Sequence, residues 1–125
     1  MTLNNCIDPK LCGPKGGDDK PKVFIVQDTG TLNFTPALNF GDPVVINRLG
    51  YPPFITSFQK QWFRNLSQKL QQFNSERDYL LLVGDPISIA LSFHIIAKYS
   101  QSIKCLRWDR QTMSYIPVIV KINGG

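Results

Sequence analysis

The sequence lacks most of what small proteins use in place of a core. Its three cysteines, Cys6, Cys12 and Cys105, are an odd number without framework spacing, which argues against a secreted disulfide scaffold. The single histidine is His94, and a zinc site usually takes about four ligands, so no Cys/His metal site is expected. Neither Gly-x-Gly-x-x-Gly nor a Walker A sequence occurs, and the glycines of the 30–41 loop lack the spacing as well. Gly-x-Ser-x-Gly is absent, and no second histidine could complete a triad. There is no long hydrophobic run. Residues 87–97 form the longest mostly apolar stretch, too short for a bilayer, and the first twelve residues have no apolar signal-peptide core. The expectation is a protein of a reducing, cytoplasmic compartment, without membrane partner or cofactor.

What is present suits one small domain. The chain has 125 residues, 42% of them hydrophobic, enough for a single buried core. The net charge is +5. Up to Lys22 there are four lysines against three aspartates, and beyond it ten bases against six acids. A moderately basic body suits a polyanion partner, or simply a soluble surface. Residues 1–21 carry Gly13-Pro14-Lys15-Gly16-Gly17-Asp18-Asp19-Lys20 and too little apolar surface to offset ordering entropy, so they read as a flexible tail. Residues 22–122 read as one α/β domain, and residues 123–125 as a frayed end.

Val23-Phe24-Ile25-Val26, Val44-Val45-Ile46 and residues 79–83 are short continuous apolar runs, the pattern of strands buried on both faces. Residues 34–40 suggest a short helix opened by Thr35-Pro36 and closed by Gly41. Phe58, Trp62, Phe63, Leu66, Leu70 and Phe73 fall at helical spacing and predict a helix over 57–73. Residues 87–99 predict a second helix, apolar almost all round and hence the more buried. Asp85 is placed to cap it and Pro86 to begin it. Strands over 103–108 and 115–122 close the chain, the last at a sheet edge because Pro117 cannot donate to a ladder. Alternating strands and helices predict a Rossmann-like or flavodoxin-like three-layer sandwich: a mainly parallel sheet, helices on both faces, and a C-terminal antiparallel hairpin.

In such sheets ligands bind beyond the carboxyl ends of the strands. The candidates there are Asp28, Thr29, Arg48, Gly84, Asp85, Asp109 and Arg110, with Gln27, Gly30, Asn47 and Trp108 beside them. Of the two Gly-Asp-Pro copies, Gly41-Asp42-Pro43 lies at the amino end as a turn, and Gly84-Asp85-Pro86 lies on the ligand side. Asp85 would repel an anion and Pro86 removes a donor, which weakens a phosphate cradle there. Asp28, Asp85 and Asp109 could in principle meet around magnesium, but aspartate favours turns and caps anyway, and no metal site is assigned. His94, between Phe93 and Ile95, reads as a core or subsurface residue. On the first long helix Lys60, Arg64 and Lys69 are candidate nucleic-acid contacts, although a solvated outer helix face explains so moderate a charge better. Phe58, Trp62 and Phe63 read as core contacts.

The run Asp78-Tyr79-Leu80-Leu81-Leu82-Val83-Gly84-Asp85-Pro86, with Leu106-Arg107-Trp108-Asp109-Arg110 and Tyr115-Ile116-Pro117-Val118, resembles small bacteriophage-encoded α/β proteins of unknown function. The resemblance implies a viral origin, the host cytoplasm and a compact α/β fold, and no activity. Two function classes follow. The first is a non-enzymatic binding protein with an unknown protein partner. The alternative is a nucleotide- or nucleic-acid-directed protein, either a DNA/RNA binder or a metal-dependent phosphoryl-transfer enzyme.

Overall fold

The computed structural model describes residues 20–31, 33–52 and 56–122. The expected tail, apart from Lys20 and Pro21, lies outside the described residues with Cys6 and Cys12, and so does the expected frayed end. Five strands form one sheet: β1 (Lys22–Gln27), β2 (Asp42–Asn47), β3 (Tyr79–Leu81), β4 (Ser102–Asp109) and β5 (Ser114–Lys121). Their order is β2-β1-β3-β4-β5. All neighbouring pairs are parallel except β4 with β5, which is antiparallel. Among the described residues, two helices, α1 (Thr56–Leu70) and α2 (Pro86–Ala97), and a 3-10 turn (Thr35–Asn39) complete the elements. The fold is therefore α/β, with a mostly parallel sheet and a closing antiparallel hairpin.

The helices do not divide between the two faces as expected. Leu66 and Leu70 of α1 and Ile95 and Ile96 of α2 share one cluster with Phe24, Val26, Ile46, Leu80, Ile103 and Cys105 of the sheet. The strand order supplies the reason. The β2-to-β3 and β3-to-β4 crossovers step in the same direction, so right-handed connections carry both helices over the same face. The β1-to-β2 step runs the other way. Its 3-10 turn covers the second face, where Ala37 packs on Val23, Ile25, Leu81, Leu106 and Tyr115. That turn is tighter than the predicted helix.

Two further expectations change. β2 is an edge strand, with Val44 and Val45 only half-buried. Its free side is protected by Pro43 and by Lys69, whose Nζ donates to the Ile46 carbonyl at 2.8 Å. His94 is exposed. A helix apolar all round has no amphipathic phase to read, and α2 turns its small residues inward. Ser88 and Ser92 are fully buried, and Ser92 Oγ donates to the Ser88 carbonyl at 2.8 Å. α2 nonetheless buries four side chains. Pro117 sits on the outer strand, as its missing donor requires. Cys105 is a free, buried core thiol, and desolvation pushes its pKa up to about 11, which disfavours the thiolate.

One buried charge anchors the amino end. Asp78 has no exposed surface. Its Oδ1 accepts from Lys22 N–H at 3.0 Å and Arg77 Nε at 2.9 Å, and its Oδ2 accepts from Asn74 N–H at 2.9 Å. It thereby joins the start of β1, the turn after α1 and the entry to β3. Asp78→Ala leaves the Lys22 and Asn74 backbone donors without their acceptor and removes a bond from Arg77, and should cost about 2–4 kcal/mol. Urea unfolding measures this, and a loss below about 1 kcal/mol would show the carboxylate to be dispensable. On α2, His94→Ala should stay within about 0.5 kcal/mol of wild type, whereas Ile96→Asp buries an unpaired charge and should unfold the domain. Thermal melts of the two variants separate the exposed side of the helix from its buried one.

Candidate functional site

The carboxyl ends of β1 and β3 diverge where ligands enter open α/β sheets. Here the chain's own side chains bridge that position. Gln27 Oε1 accepts Asp85 N–H at 2.7 Å. Gly84, at φ +107°, lies so close that an added Cβ would overlap the Gln27 side chain. Only glycine tolerates both that backbone and that contact. Asp85 occupies the position before α2, as predicted for a cap. Its Oδ2, however, accepts Ser88 Oγ at 3.1 Å and Tyr51 N–H at 3.2 Å. No backbone N–H of α2 bonds this side chain; partial burial would raise the carboxyl, but the hydrogen bonds from Tyr51 N–H and Ser88 Oγ outweigh it and hold it below the ordinary carboxylate value.

The other sheet-end candidates are engaged locally. Asp28 Oδ1 accepts Gly30 N–H at 2.9 Å, and its Oδ2 meets Arg48 Nη1 at 3.3 Å. Thr29 Oγ1 lies 2.9 Å from Thr31 Oγ1. Asp109 Oδ2 accepts both the hydroxyl and the N–H of Thr112, at 2.6 and 3.1 Å, in the β4–β5 turn that also holds Arg110. These bonds keep the Asp109 carboxyl below its usual value. The structure thus joins Asp28 to Arg48 and Gly84-Asp85 to Gln27. Among the described residues, no group of three His, Cys, Asp or Glu could hold a metal ion.

Open surface lies instead around α1. Residues 48–52 strap across its first turns: Trp62 Nε1 donates to the Leu49 carbonyl at 3.2 Å and Gln59 Nε2 to the Pro52 carbonyl at 2.8 Å. The Tyr51 and Trp62 rings meet edge to face at 5.2 Å. On one flank a hollow of about 600 Å³ is lined by Leu49, Tyr51, Phe58, Gln61, Trp62 and neighbours. Leu49 is 77% exposed and Phe58 60%. Phe58 therefore falls outside the core to which its spacing assigned it, whereas Trp62 and Phe63 do pack against that core. On the other flank a hollow of about 520 Å³ is lined by Tyr51, Gln59, Lys60, Phe63, Arg64, Ser67 and Leu91. Lys60 and Arg64 meet there. Lys69 does not join them, being tied to β2.

Sequence reading missed Leu49 and Tyr51. The only local signal was a large apolar residue beside the Gly50-Tyr51-Pro52-Pro53 break. Among the described residues, no helix is long and apolar enough to cross a membrane. Residues 21–122 match the phage Pam3 gp32-like protein family. No curated protein and no solved structure matches the chain.

Asp85→Asn weakens the link between strap and helix, and should cost about 1–3 kcal/mol at neutral pH. A lowered folded pKa means the charge stabilises fully above the unfolded value, about 4, and that this contribution fades as pH falls through the folded value. Urea unfolding from pH 7 down to pH 3 should show wild type and variant converging in acid. A constant gap across that range would refute the assignment.

Proposed function

The chain belongs to the phage Pam3 gp32-like protein family, and for this phage-encoded domain we propose a non-enzymatic role, binding a partner protein through the hollow between Leu49 and Phe58. The observation that carries this reading is the pairing of two large, exposed apolar side chains with Tyr51 and Trp62 on a surface held rigid by four side-chain contacts. Aromatic anchors in rigid hollows dominate protein interfaces, and a contiguous exposed apolar patch is the usual mark of one. In doubly wound sheets with strand order 2-1-3-4-5 the ligand crevice opens between β1 and β3, and the order here is similar, although β5 is antiparallel and both long helices share one face. Gln27 and Asp85 bridge that crevice. The sheet-end aspartates are occupied by backbone and hydroxyl donors, which favours binding over phosphoryl transfer. On this reading the protein works in the host cytoplasm by occupying its partner.

Nucleic-acid binding is the second reading. Lys60 and Arg64 support it, because among the described residues neither has an ion-pair partner. Two phosphate contacts are few, however. They would change affinity only about tenfold between 50 and 200 mM salt.

The test compares tagged wild type with a Leu49→Glu/Phe58→Glu variant in extracts of infected cells. Wild type should retain a protein that the variant loses, since removing two anchors costs about 2 kcal/mol or more, roughly thirtyfold. The variant should melt as wild type does, because both side chains face solvent. A stable variant that retains everything wild type retains would sink the proposal.

A further inference from the structure

The two hollows on α1 differ in chemistry and share Tyr51. One is apolar. The other presents Lys60 and Arg64 over a floor of Phe63 and Leu91. α1 and α2 contain no aspartate or glutamate, so nothing on either helix offsets those charges. Lys60 and Arg64 are four positions apart on the helix, which sets them about 6 Å apart along the axis. Alternate side chains of an extended peptide repeat at about 6.8 Å, a close match.

We propose that the segment seated here is acidic: one large apolar side chain of the partner enters between Leu49 and Phe58, and carboxylates on alternate positions beside it pair with Lys60 and Arg64. The inference rests on the protein-binding reading above and names the chemistry of its partner. Charge complementarity selects an anion, and the apolar hollow selects a peptide over a nucleic acid. Leu49 is aliphatic and offers no stacking face, which leaves Phe58 as the one strongly exposed ring of this hollow, whereas single-strand binders stack successive bases on several. The Trp62 ring is held against Tyr51 with its N–H bonded to Leu49, so it is not free to receive a base as single-strand binders require. Asp85, the carboxylate nearest the strap, is engaged by Tyr51 and Ser88 and does not compete for the two bases.

The probes are synthetic: a short Ser-based peptide with Glu at alternate positions on either side of one Phe, the same peptide with Gln for Glu, the same with Ser for Phe, and single-stranded and duplex DNA oligonucleotides. Binding is read from backbone amide shifts of the full chain, which register millimolar contacts. The Glu/Phe peptide should shift amides within residues 49–52 and 58–64. Its affinity should fall at least threefold with Lys60→Gln/Arg64→Gln, and comparably when Gln replaces Glu, as two exposed ion pairs allow. Equal affinity of the Gln peptide or of the charge variant overturns the acidic partner. DNA shifting the same amides more tightly than the peptide overturns it in favour of nucleic acid, and no shift with any probe also overturns it. Infected-cell capture separates the two levels. If the charge variant keeps a protein that Leu49→Glu/Phe58→Glu loses, the acidic inference fails and the binding reading stands. If both keep it, the binding reading fails.

Discussion

The centre of the sheet depends on side chains rather than on its own ladder. β3 has three residues, and its register with β1 covers only Val23–Tyr79, Phe24–Leu80 and Ile25–Leu81. So short a ladder leaves strands β1 and β3 poorly joined at both ends. At the amino end the buried Asp78 carboxylate reaches Lys22 N–H. At the carboxyl end Gln27 reaches Asp85 N–H. The two bonds staple the pair where backbone pairing stops. A buried carboxylate is tolerated because Arg77 and two backbone donors satisfy it.

The second staple has a consequence for function. It occupies the crevice that an open sheet of this order would present to a small ligand. Asp85 then extends the closure outward, because its carboxylate holds Tyr51 N–H and Gly50 lies against its Cβ, within 3.3 Å of where an added methyl would sit. The strap this creates lies on α1, where Gln59 and Trp62 fix it. Stability at the sheet end and a shaped hollow on the helix are therefore outcomes of the same hydrogen-bond chain.

The elements themselves were legible because each strand is a continuous apolar run and α1 has a clear helical stripe. Their faces were less so. Helix sides follow from strand order, which no local pattern encodes, and an all-apolar α2 gives no phase from which to place His94 or Ser88. Phe58 illustrates the limit of periodicity. It is in register with Trp62 and Leu66 but sits in the first turn, beyond the cluster that buries them. Strand polarity groups Asp28, Arg48, Asp85 and Asp109 at one end of the sheet, where β1, β2, β3 and β4 finish. Their partners were not readable, since Asp85 and Tyr51 are 34 residues apart and meet only through the fold.

Charge is distributed by the same division of labour. Asp28, Asp78, Asp85 and Asp109 each accept hydrogen bonds that shape a turn or join two segments. Lys69 blunts the β2 edge and Arg77 neutralises Asp78. Lys60 and Arg64 do nothing comparable for the fold. Two desolvation-free cations on a helix without acids contribute little to stability, and their mutual repulsion at about 6 Å slightly opposes it. The fold does not need these two charges, and the core does not bury the apolar side chains beside them; the peptide site proposed above accounts for both.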